Sequence, residues 1–355
     1  MNTYRCQEAN DQKLKKLFLR LPAQLYGSDC PQDVKTEKQL LQGTHPLSSC
    51  FEVIPFVTTD VSGKVLCRCM LTYYPDDKTA YLGFFEAYND PNAVQTMFRY
   101  VEDRATADGK CALLGPVDAS IYINYRFKID RFDKTYTGEP YNKSYYPDLW
   151  ENYGFSVCTR YSSNQLRRVE AEDIDPRLSR LYDRFIARGY RFVTPQRRDF
   201  SHYLTDICDS MMRLYAGFTA YKPLTQAQFV SMFSYLKYVL NFDMVKLVYK
   251  EDKLKAFGIC LPNYGVLTRG RITPAKLLQI LKIRRKPEEY IILYVGAEPG
   301  SSGLGGALVH DIRNSLYQNG CTAIGALIKE GNVTGEVYDI LYTDQFRYVL
   351  LSKEL

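Results

Sequence analysis

The sequence predicts an α/β protein of the mixed-sheet α+β kind, built from two similar units in tandem. Three observations carry this. The chain has 355 residues, enough for two or three domains. Hydrophobic residues make up 46% of it, the composition of a globular protein. The order hairpin, strand, helix, strand, short helix, strand occurs twice, each time over ~170 residues, which fits a mixed sheet with helices on its faces.

Taken in order, residues 11–26 (DQKLKKLFLRLPAQLY) read as a helix that ends before Pro22, whose ring removes a backbone donor. CFEVIPFVTT and KVLCRCMLTYY flank Asp60-Val61-Ser62-Gly63 and form a hairpin, with TAYLGFFEAY as a third strand. NDPNAVQTMFRYVEDRATADG is a helix capped by Asp90, with Pro91 in its first turn and Gly109 at its end. KCALLGPV is a strand, followed by a tyrosine-rich connection from Asp118 to Tyr146 and the helix PDLWENYGF. The polar stretch 156–170 (SVCTRYSSNQLRRVE) marks a boundary, giving a first domain over 1–160 and a second over 166–355.

The second unit opens with helices at 176–188 and 204–217, then LTQAQFVSMFSYLKYVL with Thr225 as its cap. DMVKLVYKEDKLKAFGICLP is a hairpin turning at Glu251-Asp252. A strand over 290–297, a glycine-rich loop and a helix come next. CTAIGALIKE follows as a strand, VTGEVYDILY as a helix and QFRYVLLSKEL as a last strand.

Composition narrows the function. No apolar run reaches the ~18 residues that span a bilayer, and MNTYRCQEANDQKLKKLF lacks the apolar core of a signal peptide. The expectation is a soluble, cytoplasmic protein without membrane contact. The ten cysteines form no CxxC pair and there are three histidines, so no zinc cluster is expected and the cysteines read as buried thiols. A net charge of +6, densest at Lys282–Lys286 (KIRRK) and at Arg197 and Arg198, is too mild for a nucleic-acid binder of this size. The 30 tyrosines are spread along the chain, which favours core and cleft packing over a platform for stacking bases.

The stretch that carries chemistry is YIILYVGAEPGSSGLGGALVHDI, residues 290–312. The P-loop pattern fails because no Lys-Ser or Lys-Thr pair follows these glycines. The dinucleotide fingerprint fails because Gly306, Ala307 and Leu308 follow Gly303-Leu304-Gly305. What remains is a general anion site. Small residues at 300–303 let backbone amides converge, and a helix starting near Leu304 adds its positive end.

In spacing, Val295-Gly296-Ala297-Glu298-Pro299-Gly300-Ser301-Ser302-Gly303-Leu304-Gly305 resembles the cofactor motif of the GNAT acyltransferase superfamily. There a strand ending in valine leads to Arg/Gln-x-x-Gly-x-Gly, whose amides hold the pyrophosphate of coenzyme A. Gly300 stands at the Arg/Gln position. Asn332 resembles the asparagine that opens the next helix, and FRYVLLSKEL resembles the last strand. In the first half, NKSYYPDLWENYGF is similar to the superfamily's Asn…Leu-Tyr-Glu-x-x-Gly-Phe ending. LLGPVDASIYINYRF together with EPYNKSYYPDLWENYGF resembles a bacterial family of tandem GNAT proteins.

The resemblance implies two GNAT-like domains, with acetyl-coenzyme A or another acyl-coenzyme A bound only in the second and no metal. The first half has NDPNAV where its phosphate loop should be, with an acid at Asp90. It implies a splayed strand pair, 290–297 and 321–329, with the thioester in the gap. The cofactor-binding residues it implies are Val295, Gly296, Ala297, Gly300, Ser301, Ser302, Gly303, Leu304, Gly305, Gly306 and Asn332. An amide near Val295 to Ala297 would face the oxyanion, and Gly296 would let the thioester approach. Tyr342, with Tyr338 one turn away as its substitute, would protonate the thiolate, and Glu298 would accept the amine's proton.

The implied reaction is N-acylation of a small-molecule amine. Asp118, Asp130 and Glu139 in the tyrosine-rich connection would suit a cationic one. An acyl carrier protein as donor, facing KIRRK, and a non-catalytic thioester-binding protein are the alternatives.

Overall fold

The structure is a computed structural model that describes residues 4–270, 272–331 and 340–355. In the first half, strands β1 (Tyr4–Glu8), β2 (Glu52–Asp60), β3 (Val65–Tyr73), β4 (Thr79–Ala87) and β5 (Ala112–Gly115) lie side by side. Helices α1 (Gln12–Tyr26) and α2 (Val34–Leu41) connect β1 to β2, and α3 (Pro91–Ala107) connects β4 to β5. After β5 come the two-residue β6 (Phe127–Lys128), α4 (Tyr146–Glu151) and β7 (Ser156–Leu166).

The second half repeats the scheme. Helices α5 (Pro176–Ala187), α6 (Phe200–Leu214), α7 (Gln226–Phe233) and α8 (Leu236–Val239) accompany the short β8 (Arg191–Val193). Strands β9 (Val245–Lys250) and β10 (Lys253–Pro262), helix α9 (Pro274–Arg285), β11 (Glu289–Ala297), α10 (Leu304–Asn319), β12 (Thr322–Lys329) and β13 (Tyr342–Glu354) follow.

Local chemistry accounts for most of these elements. Asp60 Oδ1 accepts from the amides of Ser62 and Lys64 and closes the β2–β3 turn. Glu251 and Asp252 both have positive φ, as a two-residue hairpin turn requires. Asp90 caps α3 by accepting from Ala93 N, and Thr225 forms a reciprocal capping box with Gln228 on α7. Helix α1 runs on through Pro22 to Tyr26, against the expectation. Pro22 is buried with Phe18 and Leu21 on the face that meets the sheet, and that burial offsets its missing bond.

The strands form a single sheet in the order β1-β2-β3-β4-β5-β13-β7-β12-β11-β10-β9-β8, with β6 also on β13. The halves exchange their last strands. β7 of the first half pairs antiparallel with β12 of the second, while β13 of the second pairs antiparallel with β5 of the first. β7 and β13 pair with each other along almost their whole lengths, from Tyr342↔Leu166 to Ser352↔Ser156.

The polar stretch read as a boundary is therefore the strand β7, in the middle of the sheet. Its polar residues are used there: Ser163 is fully buried and bonded to Tyr136 Oη, and Asn164 is paired with Gln345. The expected helix VTGEVYDILY lies mostly outside the described residues, and its Tyr342 is the first residue of β13 instead.

The tyrosine-rich connection 118–145 is tied to the central seam by a buried ion pair. Lys128 and Glu139 have fully buried side chains 2.8 Å apart. Glu139 also accepts from Tyr348 Oη of β13 at 2.7 Å, and Lys128 donates to the Lys134 carbonyl. Among the described residues no helix is long and apolar enough to cross a membrane.

Removing one partner of a desolvated pair strands the other charge. Lys128→Met and Glu139→Leu should each lower stability by about 3–5 kcal/mol. The double variant should recover most of that loss, as read in chemical denaturation. Additive losses would mean that the pair is not coupled.

Candidate functional site

The parallel pair β11–β12 is hydrogen-bonded from Glu289↔Thr322 to Ile292↔Gly325, and there the ladder stops although both strands continue. The residues at that point explain why. Against β10, β11 carries an extra residue, Leu293, between Ile292 and Tyr294. Against β7, β12 carries an extra residue between Gly325 and Ile328, where Leu327 has a φ of 58°. Ser163 Oγ of β7 accepts the Leu327 amide at 2.9 Å and fixes that kink. A bulge bends its strand, and two bulges on facing strands part them. The pair expected to splay does so.

The gap opens into a cavity of about 300 Å³. Ile292 to Val295 form one wall, Gly325 to Lys329 another, and Tyr342 sits at its edge. Residues 121–126 of the first half's connection complete the lining together with Met211 and Tyr215 of α6. Alternate amides along Leu293 to Val295 point toward the missing ladder partner.

Beyond β11 lies the glycine loop. Gly300 and Gly303 have φ of 91° and 89°, the left-handed region that glycine adopts freely. Gly303 occupies the N-cap of α10 and offers no side chain to its first turn, so the amides of Gly305 and Gly306 have no acceptor within the helix. A Cβ on Gly303 or Gly306 would come within 3.2 Å of Leu181 or Leu178, so the helix start lies close against α5. Leu304 is buried in the core below, and Ser301 Oγ lies 3.3 Å from Tyr190 Oη. Ser302 is exposed.

The first half has the same parts, closed. β4 and β5 also pair in parallel for only three residues, Thr79↔Ala112 to Tyr81↔Leu114. The chain after β5 then folds across the gap. Val117 N donates to Leu82 O at 2.9 Å, and a Cβ on Gly83 would lie 2.0 Å from Val117 O. Asp118 accepts the amide of Phe84, and Asp90 caps α3, the counterpart of α10, by accepting from Ala93 N. The amides that could hold a ligand are taken by the chain's own carboxylates.

Several expected residues have other surroundings. Glu298 pairs with Arg213 and, at 3.1 Å, with Lys255, which hold its carboxyl below the usual carboxylate range although its partial burial opposes them. It is not among the residues lining the cavity. A Cβ on Gly296 would meet Leu214 at 2.5 Å, so the room there is filled by α6. Ala297 ends β11, opposite Ala256. Asn332 and Tyr338 lie outside the described residues.

The acids of the connection are engaged elsewhere as well. Asp118 bonds Phe84 N and Asn124, Glu139 pairs with Lys128, and Asp130 pairs with Arg347. KIRRK closes α9, just before β11 begins, whereas the glycine loop follows the other end of that strand, about 27 Å away at 3.3 Å per residue.

Sequence reasoning missed Arg126, which lines the cavity with its side chain buried. Its signal was its place in INYRF, within the tyrosine-rich connection. Burial pushes Tyr215 up to about 12 and raises Tyr294 further, so both phenols stay neutral. Among the described residues lining the cavity there is no Asp, Glu or His.

No family model matches the sequence. Protein YghO of Escherichia coli (strain K12) is 25% identical over 214 residues, which are 58% of this chain and 54% of that protein, so the chain spans about half the length of that relative. Several solved structures are similar over 99% of this chain, two of them as follows. One is the GCN5-related glucosamine N-acetyltransferase region of a fungal multi-domain GH3 β-N-acetylglucosaminidase, with a TM-score of 0.53, 11% identity and 38% of that chain covered. The other is a tandem GNAT protein from the clavulanic acid biosynthesis pathway, with a TM-score of 0.50, 12% identity and 98% of that chain covered. With its twice-repeated strand order, its parted parallel strands and a full-length match to a tandem GNAT protein, this chain has the tandem GNAT fold.

Proposed function

We propose that the second half transfers an acyl group from acyl-coenzyme A to an amine in the cavity between β11 and β12. The observation that carries this reading is the parting of the two strands at Ile292↔Gly325, which leaves amides of β11 without a ladder partner beside a cavity. The uncapped start of α10 fits the pyrophosphate, because it offers amides and the positive end of a helix without a competing carboxylate. The fold neighbours named as N-acetyltransferases agree with acyl transfer as the reaction class.

The residues divide the work as follows. Gly300, Ser301, Ser302, Gly303, Leu304, Gly305 and Gly306 form the cradle for the pyrophosphate. Unpaired amides between Leu293 and Val295 donate to the thioester carbonyl and stabilise the oxyanion that develops on it. The thioester supplies an activated acyl carbon. The amine's lone pair forms the C–N bond, the C–S bond breaks, and the sulfur leaves with the electron pair. Tyr342 donates its phenolic proton to that sulfur. Water accepts the amine's proton, since none of the described lining residues is a carboxylate or imidazole, and a proton from water restores the Tyr342 phenol. That same lack favours a second reading, a protein that binds acyl thioesters without turning them over.

Two variants separate these readings. Ser302→Glu puts a negative charge at the start of α10, where it suits the helix but repels a pyrophosphate. Acetyl-coenzyme A affinity should fall by about ten- to thirtyfold in calorimetry, with unfolding temperature unchanged or raised. An unaffected affinity would remove the pyrophosphate from this loop. Tyr342→Phe should leave that affinity intact and lower the rate of free-thiol release by about 10²–10⁴-fold. A protein that binds acetyl-coenzyme A, yet releases no thiol in wild-type form with any of a broad set of amines, is the non-catalytic binder.

A further inference from the structure

Among the described residues, the charged ones lining the cavity are Arg126 and Lys329, both cationic. This is the reverse of the acidic lining that a cationic amine calls for. Lys329 is half-buried, but Arg126 is 3% exposed and its Nε and Nη1 have no hydrogen-bond partner. No ion pair involves it among the described residues. Buried guanidinium groups are normally paired, because desolvating an unpartnered charge is costly.

Arg126 also has a φ of 75°, a region that a long side chain rarely adopts. Two unfavourable features at one residue point to a ligand rather than to packing. The surroundings hold the charge without neutralising it. The guanidinium carbon lies 3.6 Å from the ring centroid of Tyr125 and 4.0 Å from that of Tyr161. The Arg126 amide donates to Pro116 O, which fixes the backbone. Burial lowers the guanidinium to about 10, so it stays charged at neutral pH.

We propose that Arg126 is the receptor for a carboxylate on the substrate, so that the molecule acylated, or the acyl group itself, carries a carboxylate that lies against the guanidinium. The choice of carboxylate follows from the shape of the site. A planar guanidinium bonds a planar carboxylate through parallel N–H groups, while the tyrosine rings and the apolar wall formed by Ile292, Leu293 and Ala326 fit an organic body attached to it. A cavity of about 300 Å³ admits a small molecule of amino-acid size. The carboxylate has two possible sources, an amino-acid acceptor or a dicarboxylic acyl group. The inference rests on the acyl-transfer reading for its placement of the reacting carbon, but the carboxylate site can be tested without it.

The probe for the site alone is phenylacetate against phenylacetamide, titrated into wild type, Arg126→Gln and Arg126→Lys with NMR detection. Wild type should bind the carboxylate at least about tenfold tighter than the amide, a difference that one charge-assisted hydrogen bond supplies. The preference should vanish in Arg126→Gln and return in part in Arg126→Lys. Unfolding temperatures of the variants should change little, since no hydrogen bond or ion pair of the guanidinium is lost and only its stacking on Tyr125 and Tyr161 is altered. Equal binding of the two probes by wild type, or a preference that survives in Arg126→Gln, overturns the proposal.

The source is read separately. Malonyl- against propionyl-coenzyme A tests a carboxylate on the acyl group. Thiol release from propionyl-coenzyme A with L-amino acids, against their carboxamides, tests one on the acceptor. A preference in either arm that is lost in Arg126→Gln names the source. Should no coenzyme A thioester bind while phenylacetate discrimination stands, the acyl-transfer reading falls and the carboxylate site remains. No carboxylate preference with any probe, despite tight acyl-coenzyme A binding, sinks the Arg126 proposal alone.

Discussion

The antiparallel pairing of β7 with β13 is the constraint on which the rest of the molecule depends. Each strand is the last of its own half and is donated to the sheet of the other. Neither half has a complete sheet without its partner's strand, so the two fold as one layer. The pairing also reaches the site. A hydrogen-bonded chain runs from Lys128 and Glu139 through Tyr348 and Tyr136 to Ser163, whose hydroxyl accepts the Leu327 amide at the point where β12 turns away from β11. The gap is thus set from the central seam.

The halves show how similar frames reach opposite ends. In both, a parallel pair stops after a few residues and a helix begins just beyond the first strand of that pair. In the first half, Asp118 and Asp90 accept from freed amides and Val117 N donates to the Leu82 carbonyl, all from within the chain. In the second, Gly303 leaves the start of α10 open, and bulges at Leu293 and Leu327 hold the strands apart. A backbone amide in such a gap must find an acceptor. The first half supplies its own, and the second leaves the position to a ligand. The first half contributes a roof instead, because its connection carries Arg126 and four tyrosine and isoleucine neighbours over the second half's cavity.

Much was legible in the sequence where short-range chemistry decides. The β2–β3 turn at Asp60, the Asp90 and Thr225 caps, the β9–β10 turn and the start of α10 at Leu304 all depend on residues a few positions apart. The parted strands and the glycine loop could be anticipated because their signal is contiguous. Helix α1 continued through Pro22 because its buried face outweighs a single missing bond. The strand β7 was hidden because its polar residues satisfy one another across the seam, which an apolar alternation cannot reveal.

By itself the sequence determined most element types, β7 excepted, together with the tandem repetition and the uncapped glycine start of α10, since propensity, capping and turn geometry act within a few residues. The tertiary structure alone decided the strand exchange, how the first half's gap is closed, and what faces the cavity. It placed Arg213 and Lys255 beside Glu298, moved Tyr342 from a helix to the first position of β13, and filled the space at Gly296 with Leu214. It also brought Arg126 from the first half into the second half's cavity. These outcomes rest on contacts between residues tens to hundreds of positions apart, and a buried charge shows itself as unpaired only once every neighbour is in place.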